Sequence, residues 1–344
     1  MLSAPALYLS VIVAGFALRR ANVLTPLYPG GNDDRGFMSF AALVVHGYGV
    51  AFPLLGLAFG AWCIAKKSAR RGVGLVVASL VAGLVALEAL VIEPSMLVVR
   101  ETRLRSPRAP RGGITILHVS DLQTDGPCRR ERLAVEAASR ELPDFVVFTG
   151  DLTNGLGPRD DPELRARAAH DFLKGLHARY AVLAVYGDWD AWGPEWPSWE
   201  RRIFENTGAF MLYNRSLTFD LPGGRVVIYG AGGGGPTPMT LVADMHGVNG
   251  YRVIIGHHPD VLSDGLVEGG ADLVLAGHTH GGQVVLPFVG ALVTHSARGF
   301  VGGEYTVKHT PFLVSRGIGM RGGAAPRVRF GCPPEITWVR VARD

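Results

Sequence analysis

The sequence contains few charged residues and only three cysteines. Asp, Glu, Lys and Arg make up 19% of the 344 residues, and the net charge is +4. No basic stretch is interleaved with aromatic residues, so the sequence predicts no nucleic-acid partner. The widely separated cysteines form neither a CxxC pair nor a disulfide framework, which excludes cysteine redox chemistry as the main activity. A hydrophobic content of 48% also excludes an intrinsically disordered chain.

Long apolar runs are confined to the first hundred residues. They are Leu2–Leu18, Phe37–Ala65 and Val73–Ile92, of 17, 29 and 20 residues. A helix needs about 20 apolar residues to cross a bilayer core. The sequence therefore predicts about three transmembrane helices within 1–92, an Arg-rich linker over 93–111 and a separate domain over 112–344.

The distribution of basic residues predicts the orientation. With three spans, eight basic residues flank the membrane on the side of the C-terminal domain and four lie opposite. The positive-inside rule then favours a multi-pass protein of the cell membrane with a cytoplasmic domain. If Leu2–Leu18 does not span the membrane, five basic residues lie on the side of the C-terminal domain and seven lie opposite. The rule then favours a domain outside the cytoplasm.

From Gly112 onward, short apolar runs alternate with amphipathic ones, which is typical of an α/β fold. Five of the runs read as buried strands: Ile114–Val119, Phe145–Thr149, Ala181–Tyr186, Arg252–Ile255 and Asp272–Ala276. The segments Arg129–Leu142 and Asp161–Ala178 read as the helices between the first three. Each strand is followed by Asp or His, and sites in open α/β sheets form beyond the carboxyl ends of the strands.

The residues at these five strand ends have the chemistry of metal ligands. The sequences are SDLQ from Ser120, GDLTN from Gly150, GDWD from Gly187, GHHPD from Gly256 and GHTHGGQ from Gly277. A single Asp after a strand is usually a turn or cap residue. Five such ends in order are better explained by a cluster of carboxylates and imidazoles that holds two divalent ions, of Mn, Fe, Zn or Mg.

The order of these motifs resembles the calcineurin-like metallophosphoesterases, and within them the membrane-anchored bacterial YkuE/YaeI-like subgroup. The resemblance runs from about Gly112 to Val341 and includes GHTHGGQV at Gly277–Val284, Pro287-Phe288, SRGIG at Ser315–Gly319 and PPEI at Pro333–Ile336. It implies a metallophosphoesterase sandwich of two mixed β-sheets flanked by helices, with a dinuclear metal site at one edge.

The resemblance also implies roles for individual residues. The metal ligands would be Asp121, Gln123, Asp151, Asp188, His257, His278 and His280, with Asp151 bridging the two ions. Asp151, Asp188 and His280 would also take part in catalysis. Asn154 matches a polar residue that supports the loop.

Two positions depart from the family pattern. Gln123 stands where a metal-ligating His is usual, and an amide oxygen is a poorer ligand for Zn or Fe. Trp189 stands where a His usually stabilises the transition state or protonates the leaving oxygen, and indole has no group that titrates near neutral pH. His118 and His258 lie nearby in sequence. We expect His118 to lie within its strand and His258 to point away from the metals.

The sequence therefore predicts a membrane-anchored, metal-dependent phosphoesterase that hydrolyses a phosphate ester or pyrophosphate link with a metal-activated water. Anchoring beside a lipid bilayer favours a lipid-linked substrate. The alternative is a catalytically impaired pseudo-phosphoesterase that acts as a membrane-bound binding or scaffolding protein. Trp189, Trp192, Trp196 and Trp199 form either an aromatic lip at the bilayer or ordinary packing around a short helix. Nothing in the sequence indicates an oligomeric state.

Overall fold

The computed structural model describes residues 47–154, 161–190, 196–232, 247–263, 270–321 and 327–344. These residues belong to two compact units. One comprises the chain up to Ile92 together with Arg321–Val328, and the other comprises Glu93–Met320 together with Arg329–Asp344.

The first unit contains two apolar helices, α1 (Phe52–Ala65) and α2 (Ala69–Leu87), bordered by the short π-helical segments Gly47–Ala51 and Glu88–Ile92. The two helices approach closely at glycines. A Cβ atom at Gly60 would lie 3.0 Å from the carbonyl oxygen of Gly72, and one at Gly72 would lie 2.7 Å from that of Gly60. Such close backbone approach through small residues is typical of helix pairs in membranes.

One described segment, Ala69–Ser95, is long and apolar enough to cross a bilayer, with a mean hydropathy of 2.6 over its best window. The shorter apolar helix Gly49–Ala65 precedes it. Of the three predicted spans, Leu2–Leu18 lies outside the described residues and Phe37–Ala65 is described only from residue 47.

The second unit is a sandwich of two six-stranded sheets. The first sheet has the order β1-β14-β2-β3-β4-β5, and all of its neighbours are parallel except β14 and β2. Its strands are β1 Val98–Arg105, β2 Ile114–Val119, β3 Phe145–Phe148, β4 Ala181–Ala184, β5 Ala209–Met211 and β14 Glu335–Ala342.

The second sheet has the order β12-β13-β9-β8-β7-β6, with antiparallel pairs at both edges and parallel strands between them. Its strands are β6 Arg215–Leu221, β7 Gly224–Gly230, β8 Tyr251–Ile255, β9 Leu273–Ala276, β12 Gly303–Val307 and β13 Thr310–Val314. A separate two-stranded hairpin joins β10 Val285–Leu286 to β11 Gly290–Ala291.

Three apolar clusters hold the sandwich together. The central one lies between the sheets and includes Ile116, Val147, Ile228 and Val253. A second cluster covers the outer face of the first sheet with helices α3 (Arg129–Ser139), α4 (Pro162–Lys174) and α5 (Trp196–Phe204), and a third covers the second sheet near α6 (Pro259–Leu262). The predicted class, an α/β fold with two mixed sheets, is thus confirmed.

All five predicted strands are present, as β2, β3, β4, β8 and β9. The first three belong to one sheet and the last two to the other. The ends that carry Asp and His therefore meet across the top of the sandwich, at the carboxyl edges of both sheets.

Candidate metal centre

Most of the candidate ligands occupy strained backbone positions at the edge of the two sheets. Each follows the carboxyl end of its strand within a few residues. Left-handed backbone is uncommon for residues other than glycine and, when it occurs, is often found at functional sites. Five of the seven candidates adopt it: Asp121 (φ 49°), Gln123 (φ 38°), Asp151 (φ 60°), His278 (φ 72°) and His280 (φ 50°).

The first donor cluster contains Asp121, Asp151 and His257, whose ligand atoms lie within 4.8 Å of one another. His257 Nε2 is 3.4 Å from Asp151 Oδ2, and His280 Nε2 is 3.4 Å from Asp121 Oδ1. The side-chain amide of Gln123 donates to Asp151 Oδ2 at 2.9 Å. The structure therefore brings Gln123 and His280 to the edge of this cluster.

The second donor cluster contains Asp188, His257, His258 and His278, again within 4.8 Å. His278 Nδ1 lies 3.2 Å from Asp188 Oδ2 and 3.3 Å from His257 Nε2. His258 Nε2 lies 2.6 Å from Asp188 Oδ1. The expectation that His258 points away from the metals is wrong, because its ring reaches Asp188 and packs 3.9 Å from the ring of His278.

His257 is common to both clusters, and a hydrogen bond to the backbone fixes the orientation of its ring. Its Nδ1 lies 2.7 Å from the carbonyl oxygen of Thr149, so this nitrogen carries the proton and donates it to the carbonyl. Nε2 therefore faces the carboxylates, where it would coordinate an ion once its proton is displaced. Such a hydrogen bond to the far nitrogen is the usual support of a metal-ligating histidine.

Two buried polar atoms at the site have no hydrogen-bond partner among the described residues, Gln123 Oε1 and His280 Nδ1. A buried acceptor without a partner costs free energy unless another group satisfies it. The oxygen and nitrogen donors gathered here match the preferences of Mn, Fe and Zn, and the carboxylates also suit Mg. The residues present therefore fit a pair of divalent ions.

The electrostatics of the cluster also suit cations. Burial raises the pKa of Asp121 to about 7, and the neighbouring Asp151 carboxylate adds to this rise. Burial alone would lower the pKa of His257, but the charge of Asp151 and a hydrogen bond to it hold that pKa well above its usual value. The cluster thus retains protons that divalent ions would displace, so metal binding weakens as the pH falls.

A shell of hydrogen bonds behind the ligands holds Asp151 in place. The buried Asp190 carboxylate accepts from the backbone N–H groups of Asp151 at 2.7 Å, Leu152 at 2.8 Å and Gly187 at 2.9 Å. Sequence reasoning did not assign this role to Asp190, although it follows Asp188 by two residues. Asn154 Nδ2 donates to the carbonyl oxygen of Gln123 at 2.6 Å, as its predicted supporting role requires.

A second support, missed from sequence, lies under Asp121. The guanidinium of Arg329 is fully buried and donates to the carbonyl oxygens of Gly317, Gly319 and Cys332. The N–H of Gly319 donates in turn to the carbonyl oxygen of Asp121 at 2.6 Å. Only the PPEI and SRGIG strings nearby marked this region in the sequence.

The tryptophan-rich segment is described in part. The backbone N–H of Trp189 donates to Asp151 Oδ1 at 2.9 Å. Trp199 is half-buried against the core of the first sheet, with the guanidinium of Arg202 4.8 Å above its ring, so this residue packs around the short helix. Trp192 and the side chain of Trp196 lie outside the described residues. His118 is buried in β2 and bonded to Thr149 Oγ1 at 3.0 Å, as expected.

Comparison with known proteins agrees with this geometry. Residues 114–282 match the family model of the calcineurin-like phosphoesterases. The chain is 28% identical to the uncharacterized metallophosphoesterase YkuE of Bacillus subtilis over 72% of this chain and 86% of that protein. It is 25% identical to the phosphodiesterase YaeI of Escherichia coli over 60% of this chain and 74% of that protein.

Among solved structures, the phosphopantetheinyl hydrolase PptH of Mycobacterium tuberculosis aligns with 61% of this chain and 89% of its own, with 12% identity and a TM-score of 0.37. The motifs, the donor clusters and the family model lead to one conclusion. Residues 114–282 of the chain form a calcineurin-like phosphoesterase domain, and the relatives that match it support a metal-dependent phosphoric ester hydrolase that uses divalent ions.

Proposed function

We propose that the chain is a membrane-anchored phosphodiesterase or pyrophosphatase that acts on a lipid-linked phosphate. The observation that carries the catalytic part is the convergence of Asp121, Asp151, Asp188, His257 and His278 into two donor clusters that share one imidazole. The relative YaeI is named a phosphodiesterase, which supports a phosphodiester rather than a monoester substrate.

The proposed ligand sets follow the two clusters. Asp121, Gln123 and His280 would hold the first ion, while Asp188, His257 and His278 would hold the second. Asp151 would bridge them, since its Oδ2 faces both Gln123 and His257. When bound, the ions would activate a water molecule and neutralise charge on the phosphoryl group.

The residues of the chain supply position and charge. The N–H groups of Trp189 and Gln123 fix the Asp151 carboxylate between the clusters. Asp188 is the most exposed ligand, with 37% of its side chain accessible, so a substrate reaches the cluster from its side. His280 is buried, and its Nε2 lies 3.4 Å from Asp121 Oδ1.

The absence of an imidazole at position 189, where the chain has Trp189, restricts the leaving groups that a substrate can have. Without a general acid at this position, the leaving oxygen must depart with little protonation. Pyrophosphate links and activated esters meet this condition, whereas alkyl phosphates do not. A nucleotide-linked or pyrophosphate-linked lipid is therefore the best-supported substrate class.

Membrane anchoring through 1–92 is supported by the first unit. Its helices expose large apolar side chains outward, including Leu54, Leu55 and Leu84, each more than 60% accessible. In the second unit, the β10–β11 hairpin begins five residues after His280, and its turn exposes Phe288 completely and Val289 by 70%. An apolar tip that follows the last candidate ligand so soon in the chain suits contact with an acyl chain or the bilayer interface.

Two experiments test this proposal. The first is hydrolysis of bis-p-nitrophenyl phosphate by the full-length protein with Mn²⁺, with Asp151→Asn as the inactive control. Metal binding without hydrolysis of this substrate or of a pyrophosphate-linked lipid would favour the scaffolding alternative. The departures from the family pattern at Gln123 and Trp189 also favour that alternative.

The second experiment is a C-terminal fusion to a reporter that is active only outside the cytoplasm. Strong reporter activity would contradict the proposed cytoplasmic orientation of 112–344.

A further inference from the structure

The second donor cluster holds one imidazole more than the ligand set proposed above. His258 contributes Nε2 to a group of four donor atoms, with Asp188, His257 and His278, that all lie within 4.8 Å. The first cluster, by contrast, has an amide at Gln123 where an imidazole is usual. Nitrogen donors are thus concentrated on one side of the centre.

The backbone holds His258 in this position. His258 precedes Pro259 and has an extended conformation, with φ −83° and ψ 115°, as the following proline requires. Asp260 anchors the next turn by accepting from the N–H of Ala297 at 2.6 Å and from the hydroxyl of Ser296 at 2.5 Å. The two consecutive rings of His257 and His258 consequently both face the cluster, with centroids 5.2 Å apart.

The close approach of three imidazoles is informative. The ring of His278 lies 5.1 Å from that of His257 and 3.9 Å from that of His258. Three imidazoles therefore converge with the Asp188 carboxylate on one point, and imidazole nitrogens are preferred ligands of zinc.

We propose that His258 is a direct ligand of the ion held by Asp188, His257 and His278, so that the two metal sites differ in chemistry. This inference rests on the proposed metal centre. The second site would have three imidazoles, Asp188 and the bridging Asp151, and its nitrogen donors favour Zn²⁺. The first site, with the carboxylates of Asp121 and Asp151, one imidazole and the Gln123 amide, is the weaker site for Zn²⁺ and suits Mn²⁺ or Mg²⁺.

The competing explanation is an ion pair between His258 and Asp188 at the surface. The two explanations differ in what removal of the imidazole does. Loss of a supporting hydrogen bond to a metal ligand typically costs 10–100-fold in metal affinity. Loss of a direct ligand is expected to cost more than about 100-fold at one site and to leave the other site intact.

The test compares His258→Gln with the wild-type full-length protein after removal of metals by a chelator. The amide of Gln retains a hydrogen-bond donor toward Asp188, so the ion pair is replaced and the imidazole ligand is lost. His170→Gln is the matched control, because His170 forms a similar pair with Asp171 at 3.0 Å outside the centre. Binding of Zn²⁺ and the visible absorption of bound Co²⁺ are measured for each protein.

We expect wild type and His170→Gln to bind one equivalent of Zn²⁺ tightly and a second more weakly. His258→Gln is expected to lose the tight equivalent by more than 100-fold and to show a weaker Co²⁺ absorption band. Unchanged affinities and an unchanged Co²⁺ spectrum in His258→Gln would overturn the inference. Absence of metal binding by the wild-type protein would instead contradict the metal centre itself.

X-ray absorption of the wild-type protein with one equivalent of Zn²⁺ tests the same point without a substitution. Three imidazoles per zinc are expected. Two or fewer would overturn the role of His258 whether or not the variant folds.

Discussion

The side-chain amide of Gln123 donates a hydrogen bond to Asp151 Oδ2 at 2.9 Å, while its carbonyl oxygen Oε1 is buried and has no hydrogen-bond partner among the described residues. The amide thus contacts the Asp151 carboxylate through its donor. A histidine in this position would present a ring nitrogen as a ligand instead. We therefore expect Gln123 to weaken one metal site while leaving the Asp151 carboxylate in place.

We expect Gln123→His to tighten binding at the first site. An imidazole is a better ligand than an amide for Zn or Fe, so the second, weaker equivalent of metal gains affinity. Calorimetric titration of the metal-free protein measures this change, and Gln123→Asn serves as the control that shortens the amide without adding a ligand. Equal affinities in wild type and Gln123→His would show that position 123 does not face the first ion.

Trp189→His is expected to raise turnover selectively. General acid catalysis typically contributes about 10²–10⁴-fold, and it matters most when the leaving oxygen is strongly basic. We therefore expect a larger gain on alkyl phosphodiesters than on nitrophenyl esters, most clearly in combination with Gln123→His.

Trp189→Phe is the control for that experiment, because it removes the indole without adding a proton donor. Thermal unfolding is measured in parallel, since a smaller side chain leaves a void where the indole packed. If the double variant folds, binds two ions and hydrolyses neither ester, the site has diverged beyond these two residues.

Gly187→Ala is expected to lower activity by about 10²-fold or more. A Cβ atom at Gly187 would lie 2.2 Å from Asp151 Oδ1 and 2.3 Å from its backbone nitrogen. Neither atom can yield without moving the Asp151 carboxylate, and displacement of a reacting group by about 1 Å costs about 10²-fold in rate. Overpacking of this kind also destabilises a protein by about 1–3 kcal/mol.

Gly112→Ala provides the matched comparison, because a Cβ atom there has no neighbour within 4 Å among the described residues. Rates on bis-p-nitrophenyl phosphate and unfolding temperatures are measured for both variants. Similar activity in the two would mean that the loop after β4 does not position Asp151.

The buried His118 is expected to make the protein sensitive to acid. Burial lowers the pKa of this imidazole from 6.5 to about 3. The folded state therefore keeps it neutral while the unfolded state is protonated below pH 6.5. Its contribution to stability is fully present above pH 6.5 and is lost as the pH falls toward 3, by about 3 kcal/mol between pH 6.5 and 4.

His118→Gln retains a donor toward Thr149 and removes this titration. Denaturant unfolding of the metal-free full-length protein at pH 7 and pH 4 measures the difference, with a chelator present so that metal binding does not contribute. We expect the variant to lose less unfolding free energy than the wild type over this interval. An equal loss in both proteins would assign the acid sensitivity to other groups.

Much of the fold and site could be predicted because local signals agreed. The run Ile114–Val119 begins and ends with apolar residues and is followed by a polar residue, and it forms β2 with the same limits. Strand ends that carry Asp or His are visible in the sequence, and parallel strands direct them to one edge. The candidate ligands therefore follow from the strand pattern and the family resemblance together.

The roles of Asp190, Arg329 and His258 could not be predicted, and each depends on long-range geometry. Asp190 binds backbone groups 38 and 39 residues earlier in the chain. Arg329 satisfies carbonyl oxygens of a loop that no local pattern connects to it. The direction of the His258 side chain depends on Pro259 and on the anchored turn that follows. Consecutive side chains of an extended strand point in opposite directions, so the sequence would place His258 on the side away from His257.

Metal content is the most direct test of the dinuclear centre. Elemental analysis of the full-length protein, equilibrated with Mn²⁺ and Zn²⁺ and freed of unbound ions, is expected to give two equivalents per chain. Asp151→Asn replaces the carboxylate between the clusters at nearly constant volume and is expected to remove most of this metal. Two equivalents retained in Asp151→Asn, or none bound by the wild-type protein, would contradict a metal centre bridged by Asp151.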